Sequence, residues 1–172
     1  MFNFKALLFF AASAAASSGC TPDFGILSDS KAFRVSVEGL TAGFNATAAA
    51  TTGLANAPIL AFPGTVNVTS NGTTWLAAGT GATSDSNPFR ICVPGQESFC
   101  ITGNMELEDR ATASAQQLFW IECEACDAIA GNGCQVTYVG SDDNTGLCLD
   151  MEFGRAVLAD CAEIGFAKVL FA

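Results

Sequence analysis

The chain has no histidine among its 172 residues. That removes Ser-His-Asp and Cys-His catalysis, and with them the commonest general base. It also removes the usual partner of cysteine in a zinc site. Only one C-x-x-C occurs, Cys123-Glu124-Ala125-Cys126, so structural zinc is not expected. Basic residues are scarce too: seven against seventeen acids, a formal net charge of −10. Such a surface repels phosphate backbones and anionic membranes, which argues against nucleic acid as a partner. Beyond the first 16 residues no segment reads as a membrane span. The tail "CAEIGFAKVLFA" carries Glu163 and Lys168 and is too short in apolar residues for a lipid-anchor signal.

What is present begins with a leader. Lys5, the apolar stretch "ALLFFAASAAA" and an A-x-A site at Ala14–Ala16 predict a secretory signal peptide over residues 1–16. Residues 17–172 are then one secreted domain, large enough for a core. A bacterial lipid-anchor reading of "SSGC" at Cys20 fails on Ser17, where such a motif wants an aliphatic residue. In an oxidising compartment eight cysteines mean a disulfide framework: Cys20, Cys92, Cys100, Cys123, Cys126, Cys134, Cys148 and Cys161. Acidic neighbours Glu122, Glu124 and Asp127 disfavour a thiolate at the C-x-x-C, so framework roles are expected there too. Sequons at Asn45, Asn67 and Asn71 fit a glycosylated secreted protein with an exposed first half.

Alternating apolar and polar residues predict a strand at "FRVSVEG", 33–39. Residues 41–56, small and Thr-rich, read as loop. "PILAF", "TVNVTS" and "TTWLAAG" are short strands, with a hairpin turn expected at Asn71-Gly72. "FRICVPG" and "SFCITG" are two more, joined across Pro94-Gly95. Residues 105–122 suggest a polar excursion or short helix followed by a strand from about Gln117. "TWLAA", "SFCIT" and "GLCLD" read as three repeat openings, and "PILAF", "QLFWIEC" and "AVLADC" as three later runs. The expected fold is all-β, an irregular β-trefoil stapled by disulfides, with a two-sheet sandwich as the alternative.

"GLCLDMEFGRAVLADC", Gly146–Cys161, resembles a repeat of the ricin-type β-trefoil lectins: Cys-Leu-Asp, a polar loop, then an alternating strand ending in cysteine. The resemblance implies the pairs Cys148–Cys161 and Cys100–Cys123. Cys20–Cys92 and Cys126–Cys134 are the expected remainder among 105 complete pairings. It also implies a sugar site built from an aspartate, an aromatic ring and a downstream polar residue. Asp150 takes the aspartate place, while Ala159 stands where the ring belongs. After Cys161 a Gln-x-Trp element is expected, and Phe166 is the nearest apolar equivalent. Thr102 replaces the aspartate in the middle unit. Trp75 and Trp120 are the candidate ring platforms, each weighed against a place in the core.

The remaining chemistry is carboxylate chemistry. Glu106, Glu108 and Asp109, then Asp142 and Asp143, then Asp150 and Glu152 are clusters that a glycosidase would need in a cleft. Exposed loop acids explain them more simply. "SDDNTG" falls short of a calcium loop, and no metal or other cofactor is expected. The functional expectation is a non-enzymatic extracellular binding module whose partner is a glycan. The alternatives are a secreted effector or protease-inhibitor-like protein that binds a secreted or host protein, and a carboxylate-dependent glycosidase.

Overall fold

Two-residue alternation builds the first strand. The computed structural model describes residues 19–24, 31–64, 71–79, 88–113, 116–139, 146–152 and 154–171. In it Phe33, Val35 and Val37 are buried, while Arg34 and Ser36 lie on the other, half-exposed face. The expected leader, Asn67, and the acids Asp142 and Asp143 lie outside the described residues.

The elements run β1 (Ala32–Val37), β2 (Leu40–Asn45), α1 (Ala46–Thr52), β3 (Ala57–Pro58), β4 (Leu60–Pro63), β5 (Asn71–Gly72), β6 (Trp75–Gly79), β7 (Phe89–Val93), β8 (Gln96–Ile101), β9 (Glu106–Asp109), α2 (Arg110–Ala113), β10 (Phe119–Cys126), β11 (Ala130–Tyr138), β12 (Leu147–Glu152), β13 (Arg155–Asp160) and β14 (Ala167–Phe171). The fold is all-β and every strand pairing is antiparallel. One connected sheet replaces the two facing sheets of the sandwich alternative.

The pairings close a ring, β1–β6–β7–β10–β11–β14 and back to β1. Closure leaves no free edge among these strands. Between successive members of the ring the chain makes a hairpin: β2 with β4, β8 with β9, and β12 with β13. The hairpins touch through β3–β9 and β13–β4. The chain therefore runs three times through one pattern of four strands, with ring strands first and last and a hairpin between.

The true phase of the repeat differs from the expected one. "SFCIT" and "GLCLD" do correspond, on β8 and β12, but "TWLAA" is the last strand of its unit. "PILAF" and "AVLADC" correspond, whereas "QLFWIEC" is again a last strand. The clearest internal match is in the first strands: Phe33-Arg34-Val35-Ser36-Val37-Glu38-Gly39 and Phe89-Arg90-Ile91-Cys92-Val93-Pro94-Gly95. Each ends in a two-residue turn. Glu38 (φ 50) and Gly39 (φ 83) both sit at positive φ, the primed turn that suits strand twist. Pro94 with Gly95 (φ 75) makes the Pro-Gly turn expected between β7 and β8.

Three local expectations change. Residues 41–56 are not loop: β2 leads into α1, because the Asn45 side chain accepts from Ala48 N–H at 2.9 Å and caps an alanine-rich turn. Asn71-Gly72 is not a hairpin turn but a strand paired with β2. Glycine is needed there for close approach, since a Cβ on Gly72 would fall on the Phe44 ring. In 105–122 the expected short helix and following strand are there, as α2 and as β10 from Phe119, and the change is the strand β9 that precedes them.

The ring is filled from inside. Phe33 faces Trp75 and Phe89 faces Phe119 across their strand pairs, all at most 1 % exposed. The third unit has no such aromatic pair: β11 and β14 set Ala130 opposite Leu170, Gly131 opposite Val169 and Cys134 opposite Ala167. Phe24, from the N-terminal arm, packs against Phe33, Phe89 and Phe171 at 4.8, 5.0 and 5.7 Å between ring centroids. Such aromatic pairs add about 0.5–1.5 kcal/mol each beyond the area they bury.

All eight cysteines are paired. Cys148–Cys161 joins the ends of the third hairpin as expected. The other pairs are Cys92–Cys100, Cys123–Cys134 and Cys20–Cys126, not Cys100–Cys123, Cys20–Cys92 and Cys126–Cys134. Strand register is the reason: Cys92 lies directly opposite Cys100, and Cys123 opposite Cys134. Cys126, next along β10, is left for Cys20, whose backbone exchanges two hydrogen bonds with Cys123 at 2.8 and 2.7 Å.

Candidate binding face

Parity on β10 decides which side chains meet solvent. Phe119, Ile121 and Cys123 point into the ring, so Trp120, Glu122 and Glu124 point out. Register with β11 then sets Thr137 opposite Trp120 and Gln135 opposite Glu122. Phe166, just before β14, joins them: Gly19, Glu122, Glu124, Gln135 and Phe166 line a hollow of about 220 Å³. That is below the roughly 300–1,000 Å³ of enclosed small-molecule sites, so it is a platform rather than a pocket.

Exposed apolar bulk is concentrated here. Among the described residues the exposed large hydrophobic side chains are Trp120, Ile129 and Phe166, at 39, 70 and 56 %. Trp120 and Ile129 lie on the β10–β11 hairpin, and Phe166 borders it. Two disulfides, Cys123–Cys134 and Cys20–Cys126, brace this hairpin. Its turn is fixed by Asp127, whose Oδ1 accepts from Ile129 N–H at 2.8 Å and Ala130 N–H at 2.7 Å. The face carries Phe166 beside Glu122, Glu124 and Gln135, with Trp120 two residues before Glu122 on the same side of β10.

The expected site residues scatter around it. Trp120 is on the face. Trp75 is not a platform: it is 0 % exposed and its Nε1–H donates to Ala42 O at 3.1 Å inside the core. Asp150 is half-buried on β12 opposite Val157, and its carboxylate makes no hydrogen bond or ion pair with the described residues. Trp120, Thr137 and Cys148 form one cross-strand row, with Thr137 Oγ1 3.3 Å from Cys148 Sγ. Asp150 therefore lies one alternation step beyond the end of the row that holds Trp120. Thr102 is fully buried and donates to Glu106 O, a structural role. Asn45 is exposed; its cap uses Oδ1 and leaves Nδ2, the atom a glycan would occupy, uninvolved. Asn71 lies within β5.

Sequence reasoning missed Glu122, Glu124, Gln135 and Phe166 as a set. The signal for the two glutamates was the strict alternation of "FWIECEAC", which puts one ring and two carboxylates on a single side; Gln135 and Phe166 lie outside that segment. Among the described residues no three cysteine or carboxylate side chains converge as a metal site would require. No helix among them is long and apolar enough to cross a membrane. Comparison with family models, curated proteins and solved structures finds no match to the chain.

Proposed function

We propose that the chain is a non-enzymatic, extracellular glycan-binding module on a β-trefoil scaffold. A six-strand ring carrying three hairpins supports the scaffold reading. So does Gln117-Leu118-Phe119, a Gln-x-aromatic element at the start of β10, where the lectin resemblance asks for one at a unit's end. Gln117 is fully buried and its Nε2 donates to Cys100 O and Glu108 O, tying the second hairpin to the ring. Four disulfides suit an oxidising compartment.

The observation that carries the ligand class is the pairing of chemistries on the β10–β11 face. Rings of Trp120 and Phe166 cover the apolar face of a pyranose, while Glu122, Glu124 and Gln135 accept from or donate to its hydroxyls. Asp150 extends the same chemistry along β12. A glycan array with the secreted protein tests this: binding lost on Trp120→Ala or Phe166→Ala supports it. Silence across the array, with the protein folded, refutes it.

A second reading has its own observation. Ile129 stands 70 % exposed on a turn held by Asp127 and two disulfides. A rigid loop with an apolar tip is what an effector or inhibitor presents to a protein partner. Pull-down against extracellular proteins with Ile129→Asp as the control separates the readings, because the glycan face does not need Ile129.

A further inference from the structure

Where the three hairpins meet they leave a cleft of about 410 Å³, within the range of small-molecule sites. Each unit supplies a wall. Ile59, Met105 and Ala156 are buried and make the floor, while Asn104, Glu106 and Arg155 stand at the rim. Backbone bonds hold the walls together: Ile59 N–H donates to Met105 O at 2.8 Å, and Ala156 N–H donates to Ile59 O at 3.0 Å. The opening is thus built into the fold.

Met105 marks it further. The backbone turns left-handed just before β9, at Met105 (φ 55), and just before β13, at Gly154 (φ 83), while the first unit makes such a turn earlier, at Asn56 (φ 60) before β3. Asparagine and glycine tolerate that conformation; methionine is strained by it. The strained residue is the one whose buried side chain lines the cleft, a pattern that collects at functional sites. The rim is unspent as well. Asn104, Glu106 and Arg155 make no side-chain hydrogen bond or ion pair with the described residues, although Glu152 lies opposite Arg155 across the hairpin.

We infer that this cleft is a second ligand site that takes a sugar-sized polyol bearing a carboxylate, such as a uronic acid. Arg155 on the β13 wall pairs the carboxylate, and its fork geometry favours two parallel bonds. Glu106, on the β9 wall, accepts from hydroxyls at the other end, and Asn104 both donates and accepts. The apolar floor meets the C–H face of the ring. In a chain of net charge −10, an unpaired guanidinium is where an acid can be held against the general field.

The test titrates isotope-labelled full-length protein with glucuronate and with glucose, followed by amide NMR shifts. Glucuronate should give saturable shifts over residues 103–106 and 155–158 and bind at least tenfold more tightly than glucose. Arg155→Gln should weaken glucuronate at least tenfold while leaving the spectrum elsewhere unchanged, which certifies the fold. Equal binding of the two sugars overturns the inference, as does full affinity in Arg155→Gln. Shifts confined to Trp120, Glu122 and Gln135 would overturn it while leaving the β10–β11 reading standing.

Discussion

Trp75 and Trp120 occupy equivalent strands, the last of the first and second units, one residue out of step. Trp75 on β6 faces Phe33; on β10 it is Phe119 that faces Phe89, so Trp120 is one position further along. That single step carries the indole from 0 % to 39 % exposure. Both stand in short strand-forming runs, "TTWLAAG" and "QLFWIEC", yet one fills the ring and the other meets solvent. In a sheet, parity rather than residue type assigns the side.

The sharpest way to break this comparison is to empty the inward positions. Trp75→Ala and Phe119→Ala should each cost about 3–5 kcal/mol, the range for large aromatic truncations in a packed core. Denaturant unfolding checks both. Trp75→Ala also strands Ala42 O, which loses its indole donor. If Phe119→Ala cost under about 1 kcal/mol, the equivalence of the two strands would fail.

The third unit sharpens the contrast from the other side. Its facing pairs on β11 and β14, Ala130 with Leu170, Gly131 with Val169 and Cys134 with Ala167, hold no aromatic pair, and its hairpin carries a covalent staple. Replacing Cys148 and Cys161 by serine opens a loop with sequence separation 13 and should cost about 3 kcal/mol by chain-entropy arguments. Replacing Cys20 and Cys126, separation 106, should cost more by the same argument and also free the arm that seats Phe24. Thermal unfolding of the two double variants ranks them. A smaller effect belongs to the first unit: Asn45→Ala removes the cap of α1 and should cost about 1 kcal/mol.

How much of this was legible follows from where the information lies. Strand alternation in "FRVSV" and turn chemistry at Pro94-Gly95 are local, and they appear where expected. The Cys148–Cys161 pair was legible through the lectin resemblance, which pairs the two cysteines of one repeat. Cys92–Cys100 and Cys123–Cys134 also cross single hairpins, β7–β8 and β10–β11, but the resemblance set Cys100 with Cys123, and the registers that put Cys92 opposite Cys100 and Cys123 opposite Cys134 went unread. Repeat phase was lost for a related reason. The first strand of the third unit is interrupted by a register shift between Gly131 and Cys134, with Gly133 at φ 61, so the Phe-Arg heptad has no clean third copy. The candidate face has no counterpart of the Cys-Leu-Asp signature in its own segments. Asp150 was visible from its resemblance, but Glu122, Gln135 and Phe166 come from three separate segments that only the closed ring brings together.

The smallest expected change in stability is the one that tests function. Trp120→Ala removes a ring that is 39 % exposed rather than one sealed in the core, so unfolding free energy should move by about 1 kcal/mol or less, well short of Trp75→Ala. Its cross-strand neighbour Thr137 keeps its Cys148 contact. If this face takes a glycan as proposed, binding should nevertheless fall sharply, because the carboxylates would remain while the apolar face of the sugar would lose its cover. Trp120→Phe should restore part of the affinity, whereas Trp120→Leu, apolar but not flat, should restore less. A Trp120→Ala variant that unfolded as readily as Trp75→Ala would mean that this indole supports the ring after all, and the parity argument for β10 would fall with it.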